Sequence, residues 1–265
     1  PAPGGTFAVE NKRRAGHGGA DISIIAQPVG QMQFHTNVML CAIQRNCGQR
    51  HQGDGHAEQI QILRNAWVLI SQGQIAQVGT GTPPSVNGAQ VVDAGGKLVT
   101  PGLVDAHTHL IFGGWRQNEL GMKLHGKSYL DIQNAGGGIQ STTNATRQAT
   151  EEELTQKAAK ALDEMMRFGT TTCEAKSGYG LALEHELKQL RAIRRLQEEH
   201  PMDVTATFMG AHLVPAEYKQ DRAEYIRLVC EEMMPAVKEQ GIAKFCDVFC
   251  EADTFTVEES RQILE

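Results

Sequence analysis

Along residues 60–97 the apolar positions come in short runs rather than at helical spacing. Stretches 60–63 and 67–70 read as strands, Gln72-Gly73-Gln74 as a hairpin turn, and 75–78 as the return strand. A further turn signal, Gly95-Gly96, follows Val91-Val92-Asp93, and together these predict a small antiparallel sheet. From Leu98 the pattern alternates between strand and helix. A strand-like segment over 98–103 runs into Val104-Asp105-Ala106-His107-Thr108-His109. Thr150 and Glu153 form a capping box ahead of Leu154, Ala158, Ala161, Leu162, Met165 and Met166 at helical spacing, with Gly169 as the stop. The β-branched run 170–175 is the next strand. A helix marked by Leu183, Leu187, Leu190, Ile193 and Leu196 follows, then a strand over 204–209. Residues 223–240 predict a third helix kinked at Pro235, 243–250 a fourth strand, and Thr256 with Glu259 caps a helix that runs to the chain end.

Four strand–helix units in this order imply βαβ connections and a parallel sheet. A closed (β/α)8 barrel takes eight such units and about 250 residues. Two architectures therefore fit: an open four-stranded α/β domain, or the front half of a TIM (β/α)8 barrel preceded by strands of a small β-sandwich. The end inside a capped helix favours the second. The expected division is 1–56 as a disordered or non-homologous extension, 57–97 as the sandwich strands and 98–265 as the barrel half. The first stretch is rich in Gly, Gln, Asn, Arg and His without a sustained period, apart from one apolar patch over 34–43. His17, His35, His51 and His56 match no ligand spacing and read as loop residues.

Composition narrows the function classes. A net charge of -6 over 265 residues gives no reason to expect nucleic acid or an anionic membrane as partner. The apolar runs are too short to span a bilayer, and no secretory signal pattern opens the chain, so a cytoplasmic location is expected. The six cysteines are scattered without a CxxC pair, which argues for reduced thiols rather than a disulfide framework. Cys246 and Cys250, placed on one strand face, read as two buried thiols.

The chemistry concentrates at strand ends. In Asp105-Ala106-His107-Thr108-His109 the i, i+2 spacing aims two imidazoles the same way, and neutral imidazole is a common metal ligand. In isolation such a pair is often accidental; at the C-terminal end of an α/β strand it reads as metal ligands rather than two core histidines. Arg116, in a glycine-containing loop, can grip a carboxylate bidentately, although a lone arginine is more often a surface residue. Lys176-Ser177-Gly178-Tyr179-Gly180 and Gly210-Ala211-His212 end the next two strands, so Tyr179 and His212 share the placement of His107. Glu251 ends the fourth strand, where it can face the site, although a salt bridge on the barrel rim is the plainer reading. Ala135-Gly136-Gly137-Gly138-Ile139 does not fit a dinucleotide fingerprint, and neither a phosphate-binding loop nor a nucleophile elbow is present.

The segment 100–110, Thr-Pro-Gly-Leu-Val-Asp-Ala-His-Thr-His-Leu, resembles the first-strand signature of the amidohydrolase superfamily. Segments 126–130, 135–139, 176–181, 210–212 and 245–251 narrow the resemblance to the N-terminal part of the imidazolonepropionase family, over about residues 60 to 265. The resemblance implies a (β/α)8 barrel with a small β-sandwich, one zinc or iron ion, and hydrolysis of 4-imidazolone-5-propanoate to N-formimidoyl-L-glutamate in histidine degradation. By the same resemblance His107 and His109 are metal ligands and Arg116 holds the substrate propionate. Tyr179, His212 and Tyr129 contact the substrate, with His212 also stabilising an oxyanion or moving a proton. It implies a small-molecule substrate and allows a homodimer. The family's third metal histidine, a following acidic residue and its metal-binding aspartate would fall beyond Glu265, so the 265-residue chain by itself is expected to be inactive. Two other readings are a different cyclic amidohydrolase, and a non-catalytic half barrel stabilised by self-association.

Overall fold

The computed structural model describes residues 39–43, 60–71, 74–89, 91–128, 131–132, 137–251 and 254–265. Its contacts divide the chain into two units, 1–103 with 166–171, and 104–165 with 172–265.

In the first unit, β1 (Met39–Ile43) pairs antiparallel with β2 (Ile60–Arg64) and parallel with the short β5 (Leu98–Val99). The strand β1 lies inside the stretch expected to be disordered, and so departs from that expectation; its partners come from residues 60–64 and 98–99, which no local pattern could supply. The remainder of 1–56, including His17, His35, His51 and His56, lies outside the described residues. The hairpin β3 (Ala66–Ser71) and β4 (Gln74–Thr80) is antiparallel as expected, although Gln72 and Gly73 at its tip are outside the described residues. Ala66, Ala94 and Val99 form a small core flanked by Leu63, Val68 and Val78. A Cβ at Gly79 would stand 2.4 Å from the Trp67 ring, which is why the position across the hairpin is glycine.

The expected strand over 98–103 is two strands in different sheets: β5, and β6 (Leu103–Asp105). The chain breaks at Pro101-Gly102. Proline has no amide to give a ladder, and a Cβ at Gly102 would come within 2.0 Å of the Thr171 hydroxyl.

The second unit holds the parallel sheet in the order β6-β7-β8-β9, with β7 spanning Thr170–Lys176, β8 Asp203–Ala211 and β9 Phe245–Val248. β7 and β8 pair parallel with Ala175 beside Ala206, and β8 and β9 pair parallel with Thr207 beside Phe245. Sequential parallel order, with helices between strands, is the topology of half a (β/α)8 barrel. Helices α3 (Glu151–Arg167) and α4 (Leu183–Glu199) contribute the buried Leu154, Leu162, Leu190, Ile193 and Leu196 to the core, which β7 and β8 complete with Ala175, Ala206 and Phe208. Thr150 and Glu153 make both capping-box bonds at the start of α3, and Thr256 and Glu259 do so at α7 (Val257–Leu264). At the edges of the four-stranded sheet, Val104 and Phe245 are exposed.

Two helices escape the apolar pattern. The seven-residue α1 (Asn118–Leu124) is too short to show a period. The other, α2 (Gly138–Gln148), buries a face of Thr142, Thr143 and Thr146, so its inner side reads as polar. The expected kinked helix over 223–240 is α5 (Arg222–Leu228), a π turn at Val229–Met233, and α6 (Met234–Gln240). Pro235 is the second residue of α6, and the π turn absorbs the backbone bond that proline cannot donate. β9 ends at Val248, so Cys250 is not on the strand with Cys246 but exposed beyond it; Cys173, Cys230, Cys246 and Cys250 are free thiols. Among the described residues no helix is long and apolar enough to cross a membrane.

Candidate active site

β6, β7, β8 and β9 end at Asp105, Lys176, Ala211 and Val248, and the candidate residues lie just past those ends. Thr108 locks the first of these segments to β7: its hydroxyl donates to the Glu174 carbonyl at 2.5 Å, and its carbonyl accepts from the Lys176 amide at 3.0 Å. With Thr108 turned toward β7, the flanking His107 and His109 are presented together, their ring centroids 5.7 Å apart and nearly perpendicular.

The His109 ring is the centre of the cluster. It stacks on His212 at 4.5 Å and 14°, and lies 5.6 Å from Tyr179. Tyr179 and His212 meet edge-on at 5.0 Å, and Phe249 closes the far side of His212 at 5.9 Å. The structure thus brings His107, His109, Tyr179 and His212 together. Arg116 is not in ring contact with them, but its charge acts on the Tyr179 phenol, which burial otherwise pushes up. Glu119 steadies Arg116 at 3.5 Å and uses its other oxygen to accept the Gly138 amide at 2.7 Å. Lys157 supports the same loop, donating to the Phe112 carbonyl at 2.9 Å and to that of Gly114, with its ammonium over the Phe112 and Trp115 rings. Tyr129 lies outside the described residues. Glu251 sits in an exposed bend where Thr254 caps its backbone.

Burial, followed by the His212 and His107 rings and the Lys176 charge, lowers His109 to a pKa of about 4, against a partial counter-effect of Asp247. It is therefore a neutral imidazole near pH 7, the form that ligates metals. Burial also lowers His212, with the Gly178 carbonyl opposing. That carbonyl lies 2.8 Å from His212 Nδ1 and can only accept, so Nδ1 carries the proton and Nε2 keeps a lone pair.

One charged group was not singled out from sequence. Lys176 is buried with its ammonium 2.6 Å from Asp247 and 2.9 Å from Glu174, whose other oxygen accepts from Thr207 at 2.6 Å. Burial alone would lower the ammonium, but the two carboxylates hold it above its usual range. Lysine in a β-branched strand and aspartate in an apolar one were the available signals, since neither belongs on a core-facing position without a partner.

The residues fit a metal in kind. His107 and His109 supply nitrogen donors, and His109 Nδ1 is buried with no hydrogen-bond partner. Among the described residues no group of three His, Cys, Asp or Glu side chains converges to complete such a site.

A profile of the amidohydrolase family matches residues 90–135. The chain is 52% identical over 211 residues to the imidazolonepropionase of Alkaliphilus metalliredigens, covering 78% of this chain and 50% of that protein. It is 50% identical over 210 residues to the one from Geobacillus kaustophilus, covering 77% and 50% respectively. The match to the Bacillus thuringiensis protein is 52% over 204 residues, 77% of this chain and 48% of the relative. The chain spans about half the length of the curated relatives it matches. With the half-barrel sheet and this similarity across most of its length, the chain is similar to the N-terminal part of the imidazolonepropionases.

Proposed function

We propose that this chain carries the first part of an imidazolonepropionase active site, and that its protein hydrolyses 4-imidazolone-5-propanoate to N-formimidoyl-L-glutamate in histidine degradation. The observation that supports it best is the convergence of His107, His109, Tyr179 and His212 at one end of one sheet, within a chain about half identical to proteins of that name.

In this reading His107 and His109 are two ligands of a zinc or iron ion, both of which imidazole suits. A bound ion would supply Lewis-acid polarisation of the ring carbonyl and a more acidic water. Arg116, steadied by Glu119 yet part-exposed, grips the propionate and so fixes the ring relative to the histidines. Tyr179 forms one wall of the ring pocket, and Tyr129 is assigned to the same substrate. His212, with Nδ1–H spent on Gly178, offers Nε2 as a proton acceptor, so proton transfer is its first role and charge stabilisation follows once it is protonated. The protein acts in the cytoplasm on a small molecule, and no partner beyond a second copy of the chain is invoked.

The test combines binding and turnover. Imidazole-4-propanoate, which carries a related ring and the carboxylate, is expected to bind the wild type and to lose at least about tenfold in affinity in Arg116→Ala. Zinc or iron content by elemental analysis should fall in His107→Ala. A substrate panel follows loss of imidazolone absorbance beside hydantoin and dihydropyrimidine hydrolysis. Preferential hydrolysis of hydantoin, or ligand binding indifferent to Arg116, refutes this assignment.

A further inference from the structure

We infer that Glu186 is a positioning residue whose buried carboxylate holds the Lys176–Leu181 loop in the one shape that sets both the Tyr179 ring and the proton of His212; the inference rests on the roles proposed above for those two residues.

Residues 178–181 have no strand or helix to take their amides. Two side chains from one face of α4 take all four. Glu186 accepts from Gly178 at 3.0 Å, Gly180 at 2.9 Å and Leu181 at 2.7 Å, and the Ser177 hydroxyl adds a fourth bond. One turn on, Gln189 accepts from Tyr179 at 3.3 Å and Gly180 at 2.8 Å, and donates to the Ile111 carbonyl at 2.6 Å. Both side chains are fully buried, so no water competes for these amides.

The loop needs this restraint. Gly178 has φ +106° and Leu181, a buried non-glycine, has φ +52°. The fit is close on both sides: a Cβ at Gly178 would lie 2.8 Å from the Met209 carbonyl and 3.1 Å from His212 Cβ, and one at Gly180 2.6 Å from the Glu186 amide. What the carboxylate fixes is the backbone on both sides of the Gly178–Tyr179 peptide: it takes the Gly178 amide before it and the Gly180 amide after it. That peptide's own N–H, of Tyr179, goes to Gln189 at 3.3 Å, and its carbonyl, of Gly178, meets His212 Nδ1 at 2.8 Å. The next residue is Tyr179, whose ring packs edge-on against the same His212. Glu186 therefore acts through the backbone on a proton one residue's width away, without approaching the substrate.

Four donors face two oxygens, so an acceptor-only group is required. In Glu186→Gln the side chain keeps its volume, but one end becomes an NH2 aimed at an N–H. At least one loop amide then loses its partner, and the Gly178–Tyr179 peptide, left with the long 3.3 Å bond from Tyr179 to Gln189, loses a restraint beside it.

Ring-nitrogen NMR of His212, assigned through His212→Asn and recorded near pH 8, reads the arrangement without metal or substrate, so it stands apart from the hydrolase assignment. The wild type is expected as the Nδ1–H tautomer, with slow exchange of amides 178, 180 and 181. Glu186→Gln is expected to shift His212 toward the Nε2–H form and to speed those amides by tenfold or more, roughly the effect of losing one buried bond. Leu190→Ala, a buried apolar change on the same helix, is the control for general destabilisation and should leave the tautomer unchanged. In an active preparation Glu186→Gln should lower kcat more than it raises KM. An Nε2–H wild type overturns the inference even if Glu186→Gln fails to fold. So does a Glu186→Gln protein with unchanged tautomer and loop exchange, or a Leu190→Ala protein that changes both equally.

Discussion

Replacing Lys176 by Met keeps the volume of the side chain but removes the ammonium that bridges Glu174 and Asp247. The cost follows from what is left behind. Lys176 is 4% exposed and Glu174 17%, whereas Asp247 is 36% exposed. Breaking a buried pair by removing one partner costs about 3–5 kcal/mol, and water reaching Asp247 trims this to about 2–4 kcal/mol. The double variant Lys176→Met/Asp247→Asn should recover part of the loss, because one of the two stranded carboxylates is gone while that of Glu174 remains. The pair also has a pH signature. Burial opposes ionisation of Asp247, but the Lys176 bond holds its carboxyl below the usual range. Such a group stabilises the fold above its unfolded pKa, and that stability is lost as pH falls through the folded value. Urea unfolding followed by circular dichroism at pH 7 and at acid pH tests all three statements. A Lys176→Met loss below about 1 kcal/mol at pH 7, or a double variant no better than the single, would refute the reasoning.

In metal-free protein, protonation of His109 should oppose folding: the unfolded chain takes a proton near the usual imidazole pKa of 6.5, and the folded chain only near 4, so stability falls as pH drops across that window. The effect should be about 1–2 kcal/mol after allowance for the ring's partial solvation, and His109→Asn should abolish it in acid titrations. Alkylation with mass-spectrometric readout should label exposed Cys250 first and Cys173 last, since burial raises the Cys173 thiol to about 12; rapid labelling of Cys173 in folded protein contradicts the packing. Gly113→Ala should cost about 1–3 kcal/mol and weaken imidazole-4-propanoate binding, because its Cβ would stand 2.4 Å from the Ala145 carbonyl and push the Arg116 loop off α2; unchanged stability by thermal melts would count against that close approach.

The sequence by itself determined what depends on local period and local capping. The hairpin β3–β4, the strands β7, β8 and β9, and the helices α3, α4 and α7 were legible because apolar spacing and capping boxes act within a few residues. So was the grouping of His107, His109, Tyr179 and His212, since successive parallel strands present their ends on one side. Only the tertiary structure decided the rest. β1 exists through partners more than fifteen residues away, and the 98–105 segment divides because Gly102 must pass against Thr171. α2 turns threonines inward against its neighbours: the Thr146 hydroxyl donates to the Thr142 carbonyl, 2.7 Å away, while that of Thr143 is buried without a partner among the described residues. Lys176 and Asp247 carried only the hint of a charge within a strand, and Glu186 on its helix carried none, because a charge in the sequence carries no mark of burial; the packing that removes water also supplies the ion pairs and backbone amides that hold them.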